Sequence, residues 1–433
     1  MISNSDPVLL LLREASRKRI CPGAVVCASR KGVVRYDHAI GYASLYPVPL
    51  PLVAQAMFDV ASLTKAVATT SCIMLLIDAG ELELDQKVSG FFPSFKQAGK
   101  TNITVRHLLN HCSGLPAHVE FFKELNAMRQ EGGGPAPGPE AVDWVVQRIA
   151  SMDVAPPETQ SVYSDLGFIM LGRLIEKVVG QSLDTFCVEQ VFRPLGMEDT
   201  FFLPLTDDAL RRKRLRGRQI VSTEQCPWRG RLLQGEVHDD NCYAMGGVAG
   251  HAGLFSTTND LHRFAQTVIR CAKGEFNFFA QAVVQEFWRK QDLVEGATWA
   301  LGWDTPSPEG SQAGSLFSRR SVGHLGFTGC SLWIDRDDEQ IAILLTNRVH
   351  PNRDNPGITK LRPIIHNVLH TLLSESAALP PPDTEGIELV LDGAVEANPG
   401  RPVLRPPPNN SAFSFEAPSP PLREPKSMRN KKD

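Results

Sequence analysis

Ser62 and Lys65 stand three residues apart in the stretch FDVASLTKAVATTSCIMLLIDAG. An extended lead-in there meets Ser62, and a helix is expected to run on to a Gly80 cap. The spacing puts hydroxyl and ammonium on one helical face, one turn apart. A desolvated lysine has a lowered pKa and can take the serine proton, while a helix N-terminus presents N–H groups to the oxyanion formed on attack. The same pattern also fits an N-cap serine followed by a surface lysine. Tyr163, in Tyr163-Ser164-Asp165 ahead of a helix expected to begin near Leu166, can present its phenol to a cleft and shuttle a proton between nucleophile and leaving group. Its other reading is a packed ring with Asp165 as helix cap. A third element, GHLGFTG at 323–329, precedes a hairpin and is expected on a strand. There Gly326 lets a ligand approach the backbone, and the Phe327 N–H supplies a second oxyanion donor. A turn or bulge with a buried His324 is the alternative.

A polar, Gly-rich stretch, GEVHDDNCYAMGGVAGHAGLFS, offers His238, Asp239, Asp240, Asn241 and His251 as further cleft-lining candidates. One His followed directly by two Asp and an Asn gives no zinc-ligand spacing, so no metal is expected.

The elements that must position these groups come from both ends of the chain. Residues 7–19 read as a helix, and Gly23 to Gly41 as a hairpin turning at Lys31-Gly32. Near the other end, Cys330 to Asp335 and Gln340 to Thr346 form a second hairpin, followed by a helix from about Ile358 to Ser374. Between them the patterns are helical, LGFIMLGRLIEKVVG most clearly. The expected class is α+β: a central antiparallel sheet built from both chain ends and flanked by helices, plus a largely helical insertion. One domain spans 7–375, with the sheet portion at about 7–85 and 260–375 and the insertion at about 86–259. Twelve of the 32 Pro fall after Leu379, so 376–433 reads as a Pro-rich tail, either a solvated extension or a docking ligand for a partner.

Composition removes other classes. With 45 Lys+Arg against 48 Asp+Glu the formal charge is −3, which gives a phosphate backbone no cationic surface and argues against nucleic acid as a partner. No apolar run approaches the ~20 residues of a membrane span, and the polar N-terminus, interrupted by Arg13, lacks the pattern of a secretory signal. The nine Cys are scattered without CxxC or CxxH spacing, which points to reduced thiols and a cytoplasmic protein.

Taken in this order and at these separations, the three elements resemble the serine β-lactamase and penicillin-recognising family, with its S-x-x-K, Y-x-N and K-T-G or H-x-G motifs. The likeness is closest to the class C branch, which includes D,D-peptidases, D-aminopeptidases, esterases and muropeptide amidases. It covers most of residues 7–374, and ITVRHLLNHCSGLP, YSDLGFIMLG, RPLGM and GGVAGHAGLFSTTNDLHRF are similar to stretches typical of that branch. The resemblance implies a sheet with helices on both sides, a helical domain, and a site in the cleft between them. It implies Ser62 as acylated nucleophile, Lys65 as its proton acceptor or pKa tuner, Tyr163 as proton relay, and the N–H groups of Ser62 and Phe327 as oxyanion hole. His324, Gly326 and Asp165 would contact substrate, with no cofactor. Asp165 replaces the usual Asn, exchanging an amide donor for a carboxylate that suits a donor such as an ammonium. Leu325 replaces the middle Thr of the third motif, and His324 is a weaker cation than Lys. The reading is a serine hydrolase of a small amide or ester, such as a peptide or cell-wall-derived fragment. A short-chain esterase and a non-catalytic binding module are the alternatives.

Overall fold

The computed structural model describes residues 6–96 and 99–374; the Pro-rich tail lies outside them. Six antiparallel strands form the main sheet, in the order Leu50–Pro51, Val33–Ser44, Gly23–Arg30, Gln340–Thr346, Ser331–Asp335, Val322–Leu325. Both chain ends thus meet at its centre, where Ala24 pairs with Thr346 and Arg30 with Gln340. The first hairpin turns through Lys31 and Gly32 at φ 49° and 79°, both left-handed, which matches the twist of the strands they join.

The side chains of the central strands alternate with period two. Ala24, Val26, Ala28, Trp333, Ala342 and Leu344 face one side, with the Pro7–Arg17 and Ile358–Leu373 helices. Val25, Cys27, Leu332, Ile334, Ile341 and Ile343 face the other, with the Thr258–Ala272 helix and the body of the molecule. Because both faces are covered, these strands read as unbroken apolar runs. The N-terminal helix ends at Arg17, two residues short of the expected end, with Lys18 as its cap.

Residues 86–259 supply helices, chiefly Phe121–Gln130, Pro139–Ser151 and Asp165–Val179, and strands of only two or three residues. The helix carrying Lys65 lies in the centre of this body, every side chain from Lys65 to Met74 buried. Its first part, Lys65–Thr70, is a wide π turn before regular α geometry resumes at Ser71, a widening that recurs at functional sites. The last strand, at the sheet edge, ends at Leu325, so Gly326 to Gly329 form a turn rather than the expected strand. Among the described residues no helix is long and apolar enough to cross a membrane.

Candidate active site

Ser62 follows a short strand, Phe58–Asp59, that pairs with Leu254–Ser256. Between them Ala61 sits at φ 48°, a left-handed conformation that few non-glycine residues adopt. Asp59 holds it there, accepting the Ala61 N–H at 2.8 Å, while Thr64 Oγ1 donates to the Ala61 carbonyl at 2.6 Å. Asp59 also accepts the His238 N–H at 2.7 Å, and its carbonyl accepts Thr328 Oγ1 at 2.8 Å. One buried carboxylate residue therefore ties the serine turn to the polar loop and to the turn after the edge strand.

Lys65 Nζ donates to Ser62 Oγ at 2.9 Å, to Asp165 Oδ1 at 2.7 Å and to the His251 carbonyl at 3.2 Å. Three acceptors use the three N–H bonds of an ammonium. The Tyr163 ring lies over the lysine, with Lys65 Nζ 4.7 Å from its centre. Desolvation alone does not decide the charge of Lys65. Burial does pull its pKa down, but Asp165 and Tyr163 outweigh it and hold the lysine above its ordinary value. Tyr163 is raised as well, by burial and Asp165 against the lowering effect of Lys65. Asp165 stays ionised: burial pushes it up, yet Lys65 and His118 bring it well below the usual carboxylate range.

The Asp165–Val179 helix is capped by Ser164, which accepts the Gly167 N–H, so Asp165 is its first residue and not its cap. Ser164 N donates to His111 Nδ1 at 3.0 Å, Ser164 Oγ to the Pro116 carbonyl at 2.6 Å, and Asp165 N to the Ala117 carbonyl at 2.9 Å. These bonds lock the Tyr163 junction to the segment ending in His118, whose Nδ1 meets Asp165 Oδ2 at 3.3 Å. Asp165 thus bonds Lys65 and His118 while its carboxylate still lines the cleft. The His251 carbonyl is set by Gly250, where an added Cβ would fall 2.1 Å from the Phe168 carbonyl.

Gly326 presses against the serine segment: a Cβ there would lie 2.5 Å from the Val60 carbonyl. Its missing side chain permits this backbone contact, and Gly326 also lines the cleft. Arg362 fastens the turn by donating to the Gly326 carbonyl at 2.6 Å and the Cys330 carbonyl at 2.9 Å, and Arg348 Nε donates to the Phe327 carbonyl at 2.8 Å. Among the described residues, neither the Ser62 nor the Phe327 N–H has an acceptor. His324 is buried; its Nδ1 bonds the Leu325 carbonyl at 2.8 Å, so that nitrogen carries the proton and Nε2 is an unpartnered acceptor. Burial, reinforced by Lys65, lowers its pKa to about 3. It is a neutral imidazole, not the weak cation expected.

Ser62, Tyr163, Asp165, His324, Gly326 and Phe327 line one cleft of about 830 Å³, with Lys65 behind its floor. His238, Asp239 and Asp240 line it too, whereas Asn241 and His251 do not. Asn241 is turned into the body, bonding Phe122 N and the Val119 carbonyl. His238 Nε2 faces Glu224 at 3.2 Å and His251 Nε2 faces Asp239 at 3.0 Å. Among the described residues no three His, Cys, Asp or Glu are grouped to hold a metal ion.

Sequence reasoning missed Asp59, His118, Trp299 and Asp304. Trp299 stacks on Tyr163 with centroids 5.3 Å apart and meets the His111 ring edge-on at 4.4 Å. Asp304, beside it on a bridge to Gly323, lines the cleft and accepts Thr298 Oγ1 at 2.6 Å; burial raises its pKa to about 6. The aromatic run WALGW was the only signal for this wall.

A family model described as Beta-lactamase matches residues 11–365. The chain is 31% identical over 371 residues to an N-acetylmuramyl-L-alanine amidase of Bacillus subtilis (strain 168), covering 78% of this chain and 80% of the relative. Among solved structures it is similar to an octameric penicillin-binding protein homologue from Pyrococcus abyssi, with a TM-score of 0.65 and 20% identity over 85% of this chain and 77% of that one. It is also similar to EstCE1, a hydrolase with promiscuous acyltransferase activity, with a TM-score of 0.63 and 20% identity over 84% of this chain and 97% of that one.

Proposed function

Given that the chain belongs to the beta-lactamase family and is a hydrolase of it, we propose that it cleaves a small amide or ester by acylating Ser62. The observation that carries this is the contact of Lys65 Nζ with Ser62 Oγ at 2.9 Å, with the Tyr163 ring over the lysine at 4.7 Å, on the floor of an open cleft. Ser62 Oγ bonds to the substrate carbonyl carbon, and its proton passes to the Lys65 and Tyr163 couple. The ammonium already donates to Ser62 Oγ, so the serine proton points away from it. The tetrahedral oxyanion is met by the N–H groups of Ser62 and Phe327. When the bond to the leaving amine or alcohol breaks, the couple returns the proton to that nitrogen or oxygen. Water then attacks the ester carbonyl, yields its proton to the same couple, and Ser62 leaves with it.

Because Lys65 and Tyr163 are both held above their ordinary values, the couple must give up one proton before it accepts that of Ser62. Its release governs the acid side of the pH profile. The nearest substrate class is an amide in a cell-wall-derived fragment, suggested by the amidase at 31% identity. Neutral His324 and the absence of a hydroxyl at Leu325 weigh against a substrate gripped by its carboxylate. The nine buried, unbridged cysteines support work in the reducing cytoplasm. One observation favours a binding module: the Asp165 ion pair keeps Lys65 protonated at neutral pH and so unable to accept the serine proton.

The test compares muramyl-L-alanine substrates, short-chain esters and β-lactams as substrates of the wild type and Ser62→Ala. We expect amide turnover in the wild type and a loss of at least about 10³-fold in the variant. Turnover unchanged by Ser62→Ala would refute the assignment, short esters outrunning every amide would make the protein an esterase, and binding without turnover would leave the module.

A further inference from the structure

Lys65, Asp165 and His118 form a continuous bridge from the buried floor of the site to its lip. The two carboxylate oxygens of Asp165 are divided between them: Oδ1 takes Lys65 Nζ at 2.7 Å and Oδ2 takes His118 Nδ1 at 3.3 Å. Lys65 has no exposed side-chain surface, Asp165 is 18% exposed and His118 46%. His118 is therefore the one member of the three that water reaches freely. Its position is built, since the Pro116 and Ala117 carbonyls are bonded to the first residues of the Asp165 helix.

We propose that His118 is a positioning residue which, through Asp165, sets how tightly the Lys65 and Tyr163 couple holds its proton. The proposal rests on Ser62 being the nucleophile. Charge on Asp165 that is drawn toward His118 is not available to Lys65, so His118 weakens the hold of the ion pair on the lysine proton. The draw is strongest when His118 is cationic, a state favoured by its bond to Asp165 despite partial burial, with Asp239 and Glu120 adding to it. On the other side, the groups acting on Lys65 or Asp165 are His111, His324 and His251. Burial keeps His111 and His324 neutral, and His251 is bonded to Asp239, which leaves His118 as the titrating group that solvent and substrate can reach. Asparagine in place of Asp165 would carry no such charge to divide, so the device belongs to this chain's departure from the Y-x-N pattern.

The experiment follows the rate of Ser62 labelling by a fluorophosphonate from about pH 6 up to about pH 12, in the full chain, with the adduct mapped. The acid limb reports release of the proton from the couple. His118→Ala is expected to move that limb up by about half a unit to one unit, so that labelling at neutral pH falls about three- to tenfold and recovers at alkaline pH. His118→Lys, which keeps a cation, is expected to stay near the wild-type limb. In an Asp165→Asn background the same His118→Ala change should produce no shift, because the bridge is gone. A merely structural role would lower the rate at every pH without moving the limb, and that result would overturn the proposal, as would a shift that persists without Asp165. Labelling that goes elsewhere than Ser62 would count against the nucleophile itself and with it against this role for His118.

Discussion

Asp165 stands where the Y-x-N pattern has an amide, and the exchange decides the charge of its neighbour. A carboxylate 2.7 Å from a fully buried ammonium opposes the desolvation that would otherwise neutralise the lysine. The sign follows directly: Lys65 is raised, so it is cationic through the neutral range and loses its proton only as pH climbs past the folded-state value. Asp165→Asn removes the opposing charge and lets burial act. The acid limb of kcat/KM should then move to lower pH by about one unit or more, which a pH profile on any hydrolysed ester checks. An unmoved limb would mean that the ion pair does not govern the base. Ser62, Lys65 and Tyr163 were legible in the sequence because each is marked by local pattern: a one-turn spacing in the first case, a helix start in the last. Asp59 and His118 were not, because their partners lie far along the chain; Asp59 meets His238 across 179 positions and Lys65 meets Asp165 across 100. No window of residues contains both halves of such a contact. The same distance explains why the lysine's charge stayed open in the sequence: burial was foreseeable, its counter-ion was not.

At the scale of elements, the active geometry depends on two turns pressed together. The serine turn carries Val60 and strained Ala61, and the turn after the edge strand carries Gly326, with a single Cβ of clearance missing between them. Gly326→Ala puts a carbon 2.5 Å from the Val60 carbonyl, so one turn must withdraw and Phe327 with it. The sheet and helices are untouched by this change. Ser62 labelling should fall by at least about tenfold while the melting curve shifts little, and a variant that labels at the wild-type rate would separate Phe327 from the site. Asp304 gives a prediction on stability. Its folded pKa of about 6 exceeds the ordinary 3.8, so folding takes up a proton between those values, and stability falls as pH rises through about 6. Asp304→Asn keeps an acceptor for Thr298 without the buried charge. It should stabilise the protein at neutral pH by up to about 3 kcal/mol and flatten the dependence in denaturant titrations at pH 4 to 7. Both hairpins and the C-terminal helix were readable beforehand because short apolar runs, the helical period and the Lys31-Gly32 turn specify them locally. The end of the edge strand was not, since Leu325 to Gly329 is shaped by Arg362 and Arg348 reaching in from the far end of the chain.

Across the whole molecule, the sheet joins the chain's two ends while the helical body between them supplies Lys65's counter-ion and the proton relay. Every residue lining the cleft falls between Ala61 and Arg362. A chain ending at Leu379 should accordingly keep the Ser62 labelling rate of the full chain within about twofold; a larger loss would give the Pro-rich tail a part in the site. That the sheet would draw on both ends was legible from two hairpins separated by helical patterns, because a sheet edge left unpaired at either end would expose apolar strands. Where the cleft would open was not, since it depends on how Trp299 and Asp304 extend the edge strand from a segment with no strand pattern of its own. The central claim, that Ser62 is an activated nucleophile, is tested most directly by intact-mass analysis after exposure to a fluorophosphonate, with peptide mapping and Ser62→Ala as control. One adduct per chain, mapped to Ser62 and absent from the variant, is the predicted result. An adduct that survives in Ser62→Ala, or a wild-type mass unchanged after prolonged exposure at alkaline pH, would contradict it.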